Sequence, residues 1–159
     1  MASAPSRLLR RHEPGSGPIV VGVSPTTGSP AALRWAAQEA RLRRTTLRAV
    51  LAWRAPRPPG APGARPPAIV VSRASTDYAA AAEEALRGFV AVALGDDGAA
   101  QCTAVRGSAV SALLAASQDA QLIAVGEPRP GRLASVRASL VAPQLLHRAH
   151  CPVVALPTS

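Results

Sequence analysis

Residues 122–156 read LIAVGEPRPGRLASVRASLVAPQLLHRAHCPVVAL, and this stretch decides the fold. Gln121–Val125 is a short apolar run. A loop of Gly, Pro and Arg follows at Gly126–Arg132. Leu133–Arg148 carries a helical pattern, although Pro143 falls inside it and would kink or split a helix by removing an N–H donor. Cys151–Leu156 is a second apolar run. Strand, loop, helix, strand is the unit of a parallel sheet, because parallel neighbours need a crossover long enough to hold a helix. Backbone N–H groups at a helix start attract anions, so the loop after such a strand is a candidate ligand site.

The same alternation runs back through the chain. Pro18–Val23 (PIVVGV) is continuously apolar, which marks a strand buried on both faces. Ser24–Pro30 (SPTTGSP) is a turn. Ala31–Arg44 has helical periodicity with Leu33, Ala36, Ala37, Ala40 and Leu42 on one side. Ser29 and Pro30 fit the N-cap and first helical position, and Trp35 reads as a packing residue. Thr45–Trp53 is a second strand. Ser75–Leu94 is an Ala-rich helix, capped by Ser75 or Thr76, with Glu83 and Arg87 spaced as an i,i+4 ion pair and Gly95–Gly98 as its stop. Ala100–Arg106 is a third strand, and Ser108–Ser117 a short helix capped by Ser108. The order β-α-β-α-β-α-β-α-β predicts an α/β fold: one five-stranded parallel, doubly wound, Rossmann-like sheet with right-handed crossovers. The domain is expected over 18–157. Residues 1–17, rich in Ser, Pro, Gly and Arg without periodicity, read as a disordered tail. Residues 54–67 read as an exposed Pro-rich loop.

Composition narrows the function. The 159 residues are 48% hydrophobic, mainly Ala, Val and Leu, with one Phe, one Tyr and one Met. Such a core suits a sheet under Ala-rich helices. Net charge is +9, yet all 18 basic residues are Arg, and Lys and Asn are absent. That bias, together with abundant Ala, Gly and Pro, fits a GC-rich genome. With few aromatic residues there is no stacking platform for single strands, so a specific nucleic-acid site is not expected. No apolar run is long enough to span a bilayer, and no secretory segment opens the chain, so no membrane partner and a cytoplasmic location are expected. Cys102 and Cys151 read as buried structural thiols. His147 and His150 are three apart without an acidic neighbour, a weak metal signal. Asp96–Asp97 fits a turn. No serine has a recognisable His/Asp partner, and no enzyme activity is expected.

In doubly wound sheets ligands bind at the carboxyl ends of strands where the strand order reverses. The loops after the first strand (Ser24–Pro30) and the fourth (Gly126–Arg132) are the two candidates.

Several segments together resemble the universal stress protein family, UspA type, in its actinobacterial form. They are IVVGV at Ile19–Val23, SPAALRWAAQEARLR at Ser29–Arg43, LRAVLAW at Leu47–Trp53, the loop VGEPRPGR, and LLHRAHCPVVAL at Leu145–Leu156. The resemblance implies a five-stranded doubly wound sheet that often dimerises through its last strand. It also implies a crevice that binds ATP in many members and not in others. The ATP-binding members carry Gly-x2-Gly-x9-Gly followed by Ser or Thr after the fourth strand, and an acidic residue just after the first. Aligned back from Cys151–Pro152, these positions fall on Gly126, Arg129, Ser139 and Leu140, and the acidic one on Ser24. Only Gly126 matches. Arg129 would crowd the phosphates, although its guanidinium could pair with one. Leu140 lacks the expected hydroxyl, and Ser24 is too short to stand in for a carboxylate. Ser24, Gly126, Arg129, Gly131, Ser139, Leu140 and Val141 are therefore the candidate nucleotide-crevice residues, with no catalytic or metal residue assigned. Two readings stay open: a homodimeric, non-enzymatic regulatory module whose ATP motif is largely lost, or a functional ATP-binding sensor.

Overall fold

The computed structural model describes residues 16–27, 29–55, 68–95, 98–128 and 141–158. Nine elements alternate along the chain: β1 (Ile19–Val23), α1 (Pro30–Leu42), β2 (Leu47–Trp53), α2 (Ala68–Leu94), β3 (Gln101–Arg106), α3 (Ala109–Ala116), β4 (Leu122–Pro128), α4 (Val141–Arg148) and β5 (Val153–Thr158). The strands form one sheet in the order β3-β2-β1-β4-β5, and every neighbouring pair is parallel. This is the α/β doubly wound architecture expected from the alternating pattern.

Strand period two explains the continuous apolar runs. Ile19, Val21 and Val23 of β1, Leu47, Ala49 and Leu51 of β2, and Leu122 and Ala124 of β4 pack on one face with Leu33 and Ala36 of α1 and Leu86 and Val90 of α2. Val20, Val50, Ile123 and Val125 point the other way and pack with Ala112 and Leu113 of α3 and Ala142 and Leu145 of α4. A strand covered on both faces needs apolar residues at every position. Trp35 is half-buried against the α1/α2 layer, as a packing residue should be. Leu42 is not part of the apolar side of α1; it stands 70% exposed at the helix end.

Several boundaries move for physical reasons. Helix α2 spans Ala68–Leu94, so Ser75 and Thr76 lie within it and are not caps. Ile69, Val70 and Val71 are carried in the helix; β-branched residues disfavour it only slightly. Strand β4 runs on to Pro128 because β5 continues beside it, with Gly126 opposite Leu156, Glu127 opposite Pro157 and Pro128 opposite Thr158. Gly126 is thus a strand residue, and the loop starts later than expected. β5 itself begins at Val153; the Pro152 carbonyl accepts the Ile123 N–H at 2.9 Å just ahead of it. Helix α4 covers Val141–Arg148 and includes Pro143. The expected helical residues Leu133–Leu140, Asp96–Asp97, nearly all of the tail and most of the Pro-rich loop lie outside the described residues.

Other expectations hold in detail. Ser108 caps α3, its Oγ accepting the Ser111 N–H at 3.1 Å. Gly95 ends α2 with φ +71, and its N–H reaches the Ala91 carbonyl at 2.9 Å, an αL cap that glycine enters without steric cost. Arg87 pairs with Glu83 at 3.0 Å. Cys102 and Cys151 are free but only half-buried. Partial burial is the leading cause that pushes both thiols up, which keeps them protonated near neutral pH. They cannot pair, since β3 and β5 are opposite edges of the sheet.

Ser117 joins two distant parts of the chain. The side chain is buried at 1% exposure. Its hydroxyl donates to the Leu114 carbonyl at 2.7 Å and its oxygen accepts the His150 N–H at 3.2 Å, with the His150 ring nitrogen Nδ1 at 3.3 Å. His150 is therefore a structural contact at the entry to β5. Among the described residues no group of three or more His, Cys, Asp or Glu could hold a metal. Among them also no helix is long and apolar enough to cross a membrane.

Candidate functional site

Strand order reverses between β1 and β4. From β1 the chain leads to α1 on one face; α4, which lies between β4 and β5 in the chain, packs on the other. The β1–β4 ladder ends at the pair Gly22–Val125, while β4 continues for three more residues beside β5. The carboxyl ends of β1 and β4 are thereby split, and a cavity of about 200 Å³ opens there.

The cavity walls are mostly apolar. Val23, Val50, Leu113, Val125 and Val141 supply side chains, and Gly22, Ala52, Ala109 and Ala112 supply space. Gly22 lies on the α3/α4 face, where an added Cβ would sit 2.9 Å from Leu113 Cδ1 and 3.2 Å from Val125 Cγ1. The glycine keeps this part of the sheet open. Polar groups come from Ser24 and Ser29 and from backbone, and no charged residue lines the cavity among the described residues.

The turn Ser24–Ser29 is built from its own hydroxyls. The Ser24 N–H donates to Ser29 Oγ at 3.0 Å, and Ser24 Oγ accepts weakly from the N–H groups of Thr26 and Thr27 at 3.3 and 3.4 Å. Ser29 is buried and sits in the left-handed region at φ 47 and ψ 51. It stands at the N-cap position of α1, but its side chain makes no capping bond to the helix. The expectation of an N-cap there is corrected: the hydroxyl faces back into the turn because the left-handed backbone aims it at Ser24. Pro30 does occupy the first helical position.

Of the expected crevice residues, Ser24, Gly126 and Val141 come together on the cavity wall. Arg129, Gly131, Ser139 and Leu140 lie outside the described residues. The sequence reading missed the floor from β2 and α3, namely Val50, Ala52, Ala109, Ala112 and Leu113. One signal was present: Gly22 interrupts a run of valines, and glycine inside a strand marks close approach. It also missed Glu127, one residue past Gly126. Strand alternation puts Glu127 on the same face as Val125. One of its oxygens, Oε2, is buried, and burial pushes the carboxyl up from its ordinary range.

Comparison with known structures bears on this arrangement. A universal stress protein UspA from Lactobacillus plantarum superposes with a TM-score of 0.63 at 18% identity, over 88% of this chain and 97% of that one. A universal stress family protein from Burkholderia pseudomallei gives 0.60 at 22% identity, over 91% and 98%. A universal stress protein solved in complex with cAMP gives 0.55 at 21% identity, over 90% and 98%. At these identities the likeness speaks for the fold. No curated protein sequence matches the chain at a significant level. The sequence profile described as the universal stress protein family matches residues 16–157. With that match spanning nearly all of the sequence, and with the five-stranded parallel sheet and its split between β1 and β4, the chain belongs to the universal stress protein family.

Proposed function

We propose that this protein is a non-enzymatic, cytoplasmic stress-response module that works as a homodimer, and that its crevice descends from a nucleotide site whose grip on ATP is largely lost. One observation carries the reading. At the carboxyl end of β1, where a carboxylate would meet a nucleotide, stands Ser24, and its oxygen is engaged by two N–H groups of its own turn. The cavity is small beside the roughly 300–1,000 Å³ usual for ligand pockets, and its described lining carries no cation to hold a triphosphate. Substitution of the glycine and hydroxyl positions by Arg129, Ser139 and Leu140 supports the same conclusion from sequence. The dimer would form along the free edge of β5, whose Val153, Val154 and Leu156 are half-buried in the monomer. Neither a nucleic acid nor a membrane is part of this reading.

A second reading has its own support. The split between β1 and β4 is intact, and a structural neighbour was solved in complex with cAMP. On this view the crevice still binds an adenine nucleotide and reports energy state. Calorimetric titration of the purified protein with ATP and Mg²⁺ separates the two. The proposed loss of grip predicts no heat and no thermal shift at millimolar ATP. Micromolar affinity would overturn it in favour of the sensor.

A further inference from the structure

The sheet ends on β3, and among the described residues β2 is the strand that pairs with it. Trp53 stands opposite Arg106, and its carbonyl accepts the Gly107 N–H at 2.9 Å. Backbone groups alternate along a parallel ladder. Those of Gln101, Thr103 and Val105 therefore face β2, and those of Cys102, Ala104 and Arg106 are directed outward. Sheet edges are ordinarily blunted by proline, by bulges or by charges spread along them. At the opposite edge β5 carries Pro157. β3 runs from Gln101 to Arg106 without proline or glycine, and its one charge is at its last residue. Cys102 and Ala104 are small enough to let another strand lie alongside.

Charge sets the kind of strand that fits. Cys102 packs against the α1/α2 layer, and strand alternation puts Ala104 and Arg106 on the same face. The Arg106 guanidinium lies 6.0 Å over the Trp53 ring, a contact that restrains it. At the other end of the strand, burial pushes the Cys102 thiol up, and the positive charge of Arg87 on α2 partly offsets this. Two cations thus flank one edge, beside Cys102 and at Arg106. Arg87 pairs with Glu83 at 3.0 Å, with side chains 66% and 49% exposed, and a surface pair of this kind is easily exchanged. Antiparallel self-pairing centred on Ala104, which uses all three outward residues, would set Arg106 of each copy beside Cys102 and Arg87 of the other. Like charges would then meet, whereas an acidic strand has no such conflict. We propose that the outer edge of β3 docks one extended segment of an acidic protein partner by strand addition. Backbone hydrogen bonds run to Cys102 and Ala104, and carboxylates four residues apart meet Arg87 and Arg106. Glu83, one turn earlier on α2, disfavours a third carboxylate between them. The edge is separate from the crevice and from β5, so it stands or falls apart from the function proposed above.

Fluorescence anisotropy of the full chain tests this with a labelled synthetic peptide, Thr-Glu-Val-Thr-Val-Glu-Thr. The peptide should bind below millimolar concentration and more weakly as salt is raised. It should bind at least about tenfold more tightly than its analogue with lysine in place of both glutamates. Ala104→Pro removes an outward N–H and should weaken binding by at least about tenfold. Should that variant fail to fold, an analogue N-methylated at the peptide amides that face β3 reads the same backbone pairing on the unaltered protein, with the same loss expected. Arg87→Gln should weaken binding about two- to fivefold, and Glu83→Gln should tighten it. No binding at millimolar peptide, equal affinity for the glutamate and lysine peptides, or indifference to N-methylation overturns the proposal. So does self-association of the wild type that Ala104→Pro abolishes and Ala155→Pro leaves intact, because the edge would then belong to a second copy.

Discussion

The Ser24 N–H donates to Ser29 Oγ across 3.0 Å, tying the residue that leaves β1 to the residue that begins α1. The bond shapes one wall of the cavity, and it is made by a serine in a conformation that glycine adopts far more easily.

Two substitutions at that position should differ. Ser29→Ala keeps the left-handed backbone strain and loses the acceptor for a part-buried N–H. It should lower unfolding free energy by about 1–2 kcal/mol. Ser29→Gly loses the same acceptor but relieves about 1–2 kcal/mol of left-handed strain, so it should be close to neutral. Urea denaturation with unchanged slope checks both. Equal destabilisation by the two would mean that the backbone at Ser29 is not strained.

Gly22→Ala tests the space that keeps the crevice open. The new Cβ would lie 2.9 Å from Leu113 Cδ1 and 3.2 Å from Val125 Cγ1, and Leu113 is only 2% exposed. Leu113 has to shift toward the cavity or away from its rotamer. A loss of about 1–3 kcal/mol is expected, as for overpacked cores, together with weaker binding of any crevice ligand. Thermal denaturation and a ligand titration read the two effects separately. An unchanged melting temperature would show that Leu113 yields freely.

The proposed dimer has a test that spares the monomer. Ile123 donates to the Pro152 carbonyl and stands opposite Val153, so in a parallel ladder the backbone groups of Val154 and Leu156 face β4. Those of Val153, Ala155 and Pro157 face outward. Pro157 has no N–H to offer, as is common on edge strands. Ala155→Pro removes one more outward donor without touching the β4 ladder. Light scattering should show a dimer for the wild type and a monomer for the variant, with the melting temperature of the dilute proteins nearly the same. A wild-type monomer at micromolar concentration would defeat the dimer.

Glu127 predicts a pH dependence. Burial raises its carboxyl in the folded state, so the folded chain holds this proton more tightly than the unfolded chain does. Its contribution to stability is fully present below the ordinary carboxylate range and is lost as pH rises through the raised value. Glu127→Gln has no such loss. The variant should therefore be the more stable protein at neutral pH, and its advantage should vanish on acidification. Parallel pH–stability curves for the two proteins would contradict the assignment.

Legibility differed between fold and site. The α/β order was readable because PIVVGV and LIAV are apolar throughout and LRAVLAW is interrupted only by Arg48, as strands covered on both faces require. Boundaries slipped where tertiary partners decide them: β4 is lengthened by β5, and Ser75 lies inside α2 rather than at its start. The Ser29 cap failed because a single dihedral, invisible in sequence, turns the hydroxyl away from the helix. The crevice was half visible. Ser24, Gly126 and Val141 were reached by motif spacing, whereas Leu113 and Ala52 enter from other elements and carry no local mark. Glu127 fell within the loop read at Gly126–Arg132, and only the pairing of β4 with β5 shows it to be a strand residue on the same face as Val125.

Ser117 has a consequence for the far end of the chain. A C-terminal edge strand ordinarily frays first, and its amides exchange with solvent long before those of the centre. Here the chain enters β5 through His150, whose N–H is held by a hydroxyl that is itself anchored on the last turn of α3. Peeling β5 away would leave the His150 N–H without its acceptor and open the end of α3. The last strand and the third helix should then protect and release their amides together, as one cooperative unit rather than as a loose tail on a finished sheet.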